Sequence, residues 1–250
     1  MFGLDFSQTS LLEAISILSE EARGGEVKLV FTPNVDHLVL LEENNEFKRA
    51  YQEADFILAD GMPVVWFSRL IGKRLPERVA GADLFPGLCG ISAQKRLRVF
   101  LLGGDPKVTP ETARKLTHQF PGLLIAGIAT PPIGFEKDVG LNLELIDSIN
   151  KSSPDILFIA LGAPKQEIWS YHHRKQLNVG LIIGVGGAFD LVAEVVPRAP
   201  HWIRSAGFEW LWRLSNDPRR LWRRYLIRDL RFFGIAFQEW RKQRDDQRNG

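Results

Sequence analysis

Six short apolar runs, separated by longer stretches that favour helix, constrain this chain more than any other feature of its sequence. The runs are Val27–Phe31, Phe56–Ala59, Leu97–Leu102, Leu123–Ile128, Ile156–Leu161 and Leu181–Val185. Between them, segments such as Pro110–Gln119 and Asn142–Asn150 are rich in good helix formers. Strands that alternate with helices need crossover connections, and so pair in parallel through right-handed βαβ units. The expected fold is α/β: a Rossmann-like parallel sheet flanked by helices.

The 250 residues are 45% hydrophobic and 25% charged, enough apolar material for one large core with an appendage. The appendage is visible in the charge. Positions 197–250 carry 13 Arg or Lys against 6 Asp or Glu, a net of +7, while the remainder carries 19 against 24, a net of −5. Five of the seven tryptophans, Trp202, Trp210, Trp212, Trp222 and Trp240, fall in the same stretch. The chain therefore divides into an α/β core, 1–196, and a basic, aromatic helical appendage, 197–250. A single cysteine, Cys89, excludes an intramolecular disulfide and a multi-cysteine metal cluster, and agrees with a reducing compartment. The N-terminal segment lacks a basic stretch ahead of its apolar residues, and nowhere do 18 apolar residues run together. Neither a signal peptide nor a transmembrane helix is expected, so any work at a membrane is done from its surface.

Open parallel sheets bind ligands beyond the carboxyl ends of their strands. The residues just after each run are thus the first candidates for chemistry. Asp60 closes the run FILAD directly before Gly61. A partly desolvated carboxylate there can serve as a general base, or it can cap the helix that starts near Met62. Thr32 and Asn34 can present a hydroxyl and an amide to a sugar, or simply form a turn around Pro33. Arg78, shortly before Gly81 and a helix start, can bind an anion or remain a solvated surface residue. Gly103-Gly104 and the turn around Gly186 can let backbone N–H groups approach phosphate.

Neither turn is a G-x-G-x-x-G fingerprint with a suitably placed acidic residue, nor a Walker A sequence, which disfavours a dinucleotide-dependent oxidoreductase or an ATPase. No Asp-x-Asp occurs, and the five histidines lack zinc spacing. No metal and no cofactor are expected. In the tail, Arg213, Arg219, Arg220, Arg223, Arg224, Arg228 and Arg231 alternate with tryptophan, tyrosine, phenylalanine and leucine. That pattern suits an anionic membrane surface with tryptophan at headgroup depth. It would also suit the phosphates of a soluble ligand, stacked single-stranded nucleic acid, or a helix pair capping the core.

Taken together, the segments TPNVDHL, ILADGMPVVW, RLPERVAGADL, VFLLGG, LGAPKQE, GVGGAFD and RAPHWIRSAGFEWLWRLSNDPRRLWRRYL resemble the WecG/TagA/CpsF family of bacterial glycosyltransferases, in the family's order and from about Val27 to Tyr225. The resemblance implies an inverting transferase that moves a sugar from a UDP-sugar to a saccharide carried on undecaprenyl diphosphate, for a capsule, exopolysaccharide, teichoic acid or common antigen. It implies that Asp60 is the catalytic base and that Thr32 and Asn34 lie near the transferred sugar. Arg78 and Gln166 match further family positions. Arg213, Arg220 and Arg223 match arginines held to close over the nucleotide diphosphate. The implied partners are the UDP-sugar donor, the polyprenyl-diphosphate-linked acceptor and an anionic membrane surface, at the cytoplasmic face of the plasma membrane. A homo-oligomer is left open.

The alternative is a nucleic-acid-binding module built on the Arg/Trp-rich tail. It leaves the polar strand-end residues without a task, so nucleic acid is not expected as a partner. With arginines rather than a cation to neutralise the departing diphosphate, transfer should survive excess EDTA. Complete loss of activity on chelation, restored by manganese or magnesium, would overturn that expectation.

Overall fold

The computed structural model describes residues 1–200, 202–203 and 207–249, apart from the side chains at positions 213, 220, 225 and 246–249. The core runs α1 (Leu11–Glu21), β1 (Lys28–Phe31), α2 (Val35–Glu43), α3 (Asn45–Gln52), β2 (Phe56–Ile57), α4 (Met62–Leu70), α5 (Gly81–Lys95), β3 (Arg98–Gly103) and α6 (Val108–Gln119). It continues through β4 (Leu124–Ala129), α7 (Val139–Ser152), β5 (Ile156–Ala160), α8 (Lys165–His173), β6 (Leu181–Gly184) and α9 (Ala188–Val192). The tail adds α10 (Glu209–Asn216), α11 (Pro218–Arg223), a π-helical turn (Arg224–Arg228) and α12 (Arg231–Asn249).

All six expected strands form one parallel sheet in the order β2-β1-β6-β5-β3-β4. Each lies within two residues of its expected ends. The short β2 is longer in effect than its span. Leu58 N–H donates to Phe31 O and Asp60 N–H to Pro33 O, both at 2.9 Å, so pairing with the β1 segment runs on to the residue of interest.

Side chains alternate along each central strand, and the two sets enter two separate cores. Leu29, Phe31, Phe100, Leu102, Leu157, Ile159 and Ile182 face one side, where α2, α3, α4, α7 and α8 cover them. Val30, Val99, Leu101, Ile156, Phe158, Leu181 and Ile183 face the other, under α1, α5, α6 and α9. The helices start where local chemistry allows. Ser10 and Glu13 form a reciprocal capping box on α1, and the side chains of Asn34, Asn44 and Asp138 cap α2, α3 and α7.

The tail returns to the first core. Phe232 of α12 is buried against Phe2 and Phe67, with ring centroids 5.9 and 6.5 Å away. Arg224 and Arg228 pair with Asp36, and Arg231 with Glu43. No helix among the described residues is long and apolar enough to cross a membrane.

One contact offers a direct test of how closely the layers approach. Gly180 lies just before β6 and against the end of α1, and a Cβ there would stand 2.0 Å from the Ala22 carbonyl oxygen. That neighbour is backbone and cannot swing aside. Gly180→Ala should therefore destabilise the fold by about 3 kcal/mol, measured from urea unfolding. A loss below about 0.5 kcal/mol, the range of ordinary surface changes, would show that the layers yield.

Candidate active site

The helices following β1 and β5 leave for the first core, and those following β6 and β3 for the second. The loops at the carboxyl edge of the sheet therefore part, and of the expected site residues Asn34, Asp60 and Arg78 lie together at one side of the gap. Beside it, between α4 and the tail, lies a cleft of about 520 Å³ bordered by Asn34, Asp60, Gly61 and Arg78 from the core and by Glu209 and Arg224 from the tail.

Asp60 borders this cleft with its carboxylate partly exposed, and its Oδ1 lies 3.8 Å from Arg78 Nη1. The helix-cap reading of Asp60 does not hold. Gly61 is the residue at the start of α4, at φ +143°, and no side chain caps that helix. A glycine there allows the sharp turn that sets the carboxylate at the mouth of the cleft.

Arg78 sits among carboxylates. It donates to Glu209 Oε2 at 2.7 Å and to Asp83 Oδ2 at 2.9 Å, besides its pairing with Asp60. Asp83 in turn pairs with Arg198. Burial works against the Arg78 charge, but Asp60, Glu209 and Asp83 outweigh it and hold its pKa above the ordinary value. A phosphate reaching this guanidinium meets Glu209 already in place. Glu209 was not among the residues singled out by sequence, since an acid in a basic, aromatic tail carries no local signal.

Thr32 is buried at the end of β1, against Gly81, where a Cβ would come within 3.2 Å of its Oγ1. Asn34 caps α2 through Oδ1, which accepts from His37 N–H, and borders the cleft as well. Gln166 is buried on α8. Its Oε1 accepts from Gly186 N–H at 3.1 Å and its Nε2 donates to Glu167 Oε1 at 2.8 Å. The amide thereby ties the loop after β6 to the helix after β5. The Gly103-Gly104 turn has a structural reason of its own. Gly104 N–H donates to Ala160 O at 2.9 Å, and a Cβ on Gly103 would stand 2.7 Å from the same oxygen.

The tail arginines part company. The side chains of Arg213 and Arg220 lie outside the described residues. Arg223 is exposed, with its guanidinium 5.4 Å from the centre of the Trp222 ring, and does not border the cleft. Arg224, one residue on, does border it. Among the described residues no group of three His, Cys, Asp or Glu side chains is placed to hold a metal ion.

Beneath these residues lies a buried polar group whose members sequence reasoning did not connect, although Glu167 ends the LGAPKQE segment beyond the fifth run. Glu167 is fully enclosed, 3.9 Å from His37 Nδ1, which is 2.7 Å from the Tyr51 hydroxyl. Glu167 Oε2 has no partner among the described residues. Burial pushes its carboxyl up to about 7, with Asp36 adding to the rise, and burial with Arg224 and Arg228 drives His37 down to about 3.

The family model described as "Glycosyl transferase WecG/TagA/CpsF family" matches residues 1–246. The chain is 37% identical over 227 residues to an N-acetylglucosaminyldiphosphoundecaprenol N-acetyl-beta-D-mannosaminyltransferase of Bacillus spizizenii, covering 89% of this chain and 84% of that protein. A protein of the same name from Bacillus subtilis is 33% identical over 198 residues, covering 79% of this chain and 75% of that protein.

The Glu167 carboxyl makes a stability prediction with a definite sign. Its folded pKa, about 7, lies above the ordinary 4.5, so the folded state holds the proton longer and stability falls as pH rises between those values. His37 acts oppositely below its ordinary 6.5, but its contribution is common to wild type and variant. Relative to wild type, Glu167→Gln should gain stability from pH 4.5 to 7.5, by up to ~3 kcal/mol. Urea unfolding of both proteins at pH 5 and pH 8 measures this, and a difference that does not change with pH would refute it.

Proposed function

The chain belongs to the WecG/TagA/CpsF family of glycosyl transferases, and we propose that it transfers N-acetylmannosamine from UDP to N-acetylglucosaminyl-diphospho-undecaprenol. Both Bacillus relatives carry that sugar and that acceptor in their names, at 37% and 33% identity over most of this chain. The observation that carries the reading is the Asp60 carboxylate, directed by Gly61 to the mouth of a cleft that Arg78 and Asn34 also border.

The reaction is a single displacement. The acceptor hydroxyl gives its proton to Asp60 while its oxygen attacks the anomeric carbon from the face opposite UDP. The bond from that carbon to the β-phosphate oxygen breaks, the electron pair leaves with UDP, and the configuration inverts. Thr32 and Asn34 bracket the sugar. Gln166 and Gly186, already bonded to each other, line the donor side with the Gly103-Gly104 turn. The charge that builds on the departing diphosphate needs fixed positive groups. Arg78 supplies one once Glu209 shares or yields it, and we propose that Arg213, Arg220 and Arg223 of the tail supply others once the donor is bound, Arg223 leaving its place over Trp222 to do so.

The tail also brings the enzyme to its substrate. Its basic and tryptophan-rich surface holds the protein on an anionic membrane face, where the lipid-linked acceptor lies. We assign it to the cytoplasmic side, as a peripheral protein making a lipid-linked disaccharide for a cell-surface polymer.

Asp60→Asn is the test. It should leave UDP affinity nearly intact and lower turnover on a lipid-linked N-acetylglucosamine acceptor by roughly 10²–10⁴, the usual worth of a general base. Product formation is read by mass spectrometry, and normal turnover by the variant would remove Asp60 from this role.

A further inference from the structure

The cleft beside Asp60 is mostly apolar, which a site for a nucleotide and two sugars does not need. One wall is the first turns of α4, with Met62, Pro63 and Trp66; the other is tail, with Leu226, Leu230 and Phe233. Trp66 is 47% exposed, Leu226 50%, Leu230 55% and Phe233 69%. Large side chains left this open in one concave place mark a surface that something apolar covers.

The cleft is held in shape by a close crossing. Gly207 carries the tail over α4 at φ +78°, and a Cβ there would stand 2.8 Å from the Trp66 ring and 2.9 Å from Met62 Cβ. The tail backbone therefore meets the Met62 and Trp66 side chains at that point and leaves a hollow alongside. Its polarity is ordered. Asp60 and Gly61 sit at the start of α4, while Trp66 lies one turn beyond Met62 on the same helix face, about 6 Å further along the axis. Two guanidinium-bearing residues, Arg78 and Arg224, border the same cleft.

An acceptor has this order too: a reactive hydroxyl on a sugar, then a diphosphate, then a hydrocarbon chain. Resting on the function proposed above, we propose that this cleft is a lipid subsite whose apolar walls hold the isoprenoid units nearest the acceptor's diphosphate. The protein thus reads the lipid itself and does not leave it wholly in the bilayer. A volume of about 520 Å³ accommodates a short head-proximal stretch, and the rest of the chain stays in the membrane.

The experiment uses the intact protein in buffer free of vesicles and detergent. Calorimetry measures binding of dimethylallyl, geranyl and geranylgeranyl diphosphate, each below its aggregation concentration. Affinity should tighten by at least about tenfold from the shortest chain to the longest, because each added unit buries apolar surface. Trp66→Ala and Leu230→Asn should lose most of that gain. Both positions are half-exposed, so neither change opens a cavity in the core. Equal affinity for the three lipids, or the wild-type ladder in both variants, would overturn the subsite. A parallel turnover assay with the matching N-acetylglucosamine-bearing lipids separates the two readings. Transfer that ignores chain length sinks the lipid subsite and leaves the enzyme reading standing. A binding ladder without any transfer does the reverse.

Discussion

A parallel strand covered on both faces must send alternate side chains into two different cores, and the architecture of this molecule follows from that. Phe100 and Leu102 point one way, Val99 and Leu101 the other, and a shift of one residue in any strand would exchange the two sets. Register is thereby fixed for all the central strands at once. With register fixed, the carboxyl ends of the strands align along one edge, and Thr32, Asp60, Gln166 and Gly186 reach the same neighbourhood although they lie far apart in sequence.

What distinguishes this sheet from a generic scaffold is how firmly the tail is tied to it. One tie is at Arg78, where Glu209 meets Asp60 and Asp83 around a single guanidinium. A second is at Asp36, buried on α2, which receives Arg224 and Arg228 from the π-helical turn. The third is apolar, through Phe232. Several tail arginines are consequently engaged with the core, and the proposed lipid-facing surface falls to the remaining basic residues and to exposed Trp202, Trp210 and Trp222. Tail and cleft form one construction, since the same segment supplies ion pairs on its inner side and apolar wall on its outer.

The fold was legible because its signals are local. Each strand announced itself as a run of apolar residues, and among the positions beyond the runs Asn34 and Asp60 do border the cleft. Asp60 was singled out that way, and the resemblance of its segment to a known family suggested the role proposed for it. The rest was not legible because it depends on partners far off in the chain. Glu209 and Arg78 are 131 residues apart, and Asp36 and Arg228 are 192 apart. Nothing in the periodicity of either segment signals such a pair. Glu167, His37 and Tyr51 look like unremarkable polar residues on three helices, and only the packing of α2, α3 and α8 on one face brings them together. The cleft beside α4 was invisible for the same reason, since half of its wall arrives from the tail.

The position of β6 bears on how the chain is made. It is the last strand in sequence, yet it lies in the middle of the sheet between β1 and β5. A nascent chain that ends before Leu181 therefore holds two unfinished fragments, β2-β1 and β5-β3-β4, each with an open apolar edge that can pair with a neighbouring chain. Closure waits until well over half of the polypeptide has left the ribosome, and it depends on contacts distant in sequence, which form slowly. The interval between synthesis of β5 and insertion of β6 is when the molecule is most prone to aggregate and most in need of a chaperone, however stable the finished sheet.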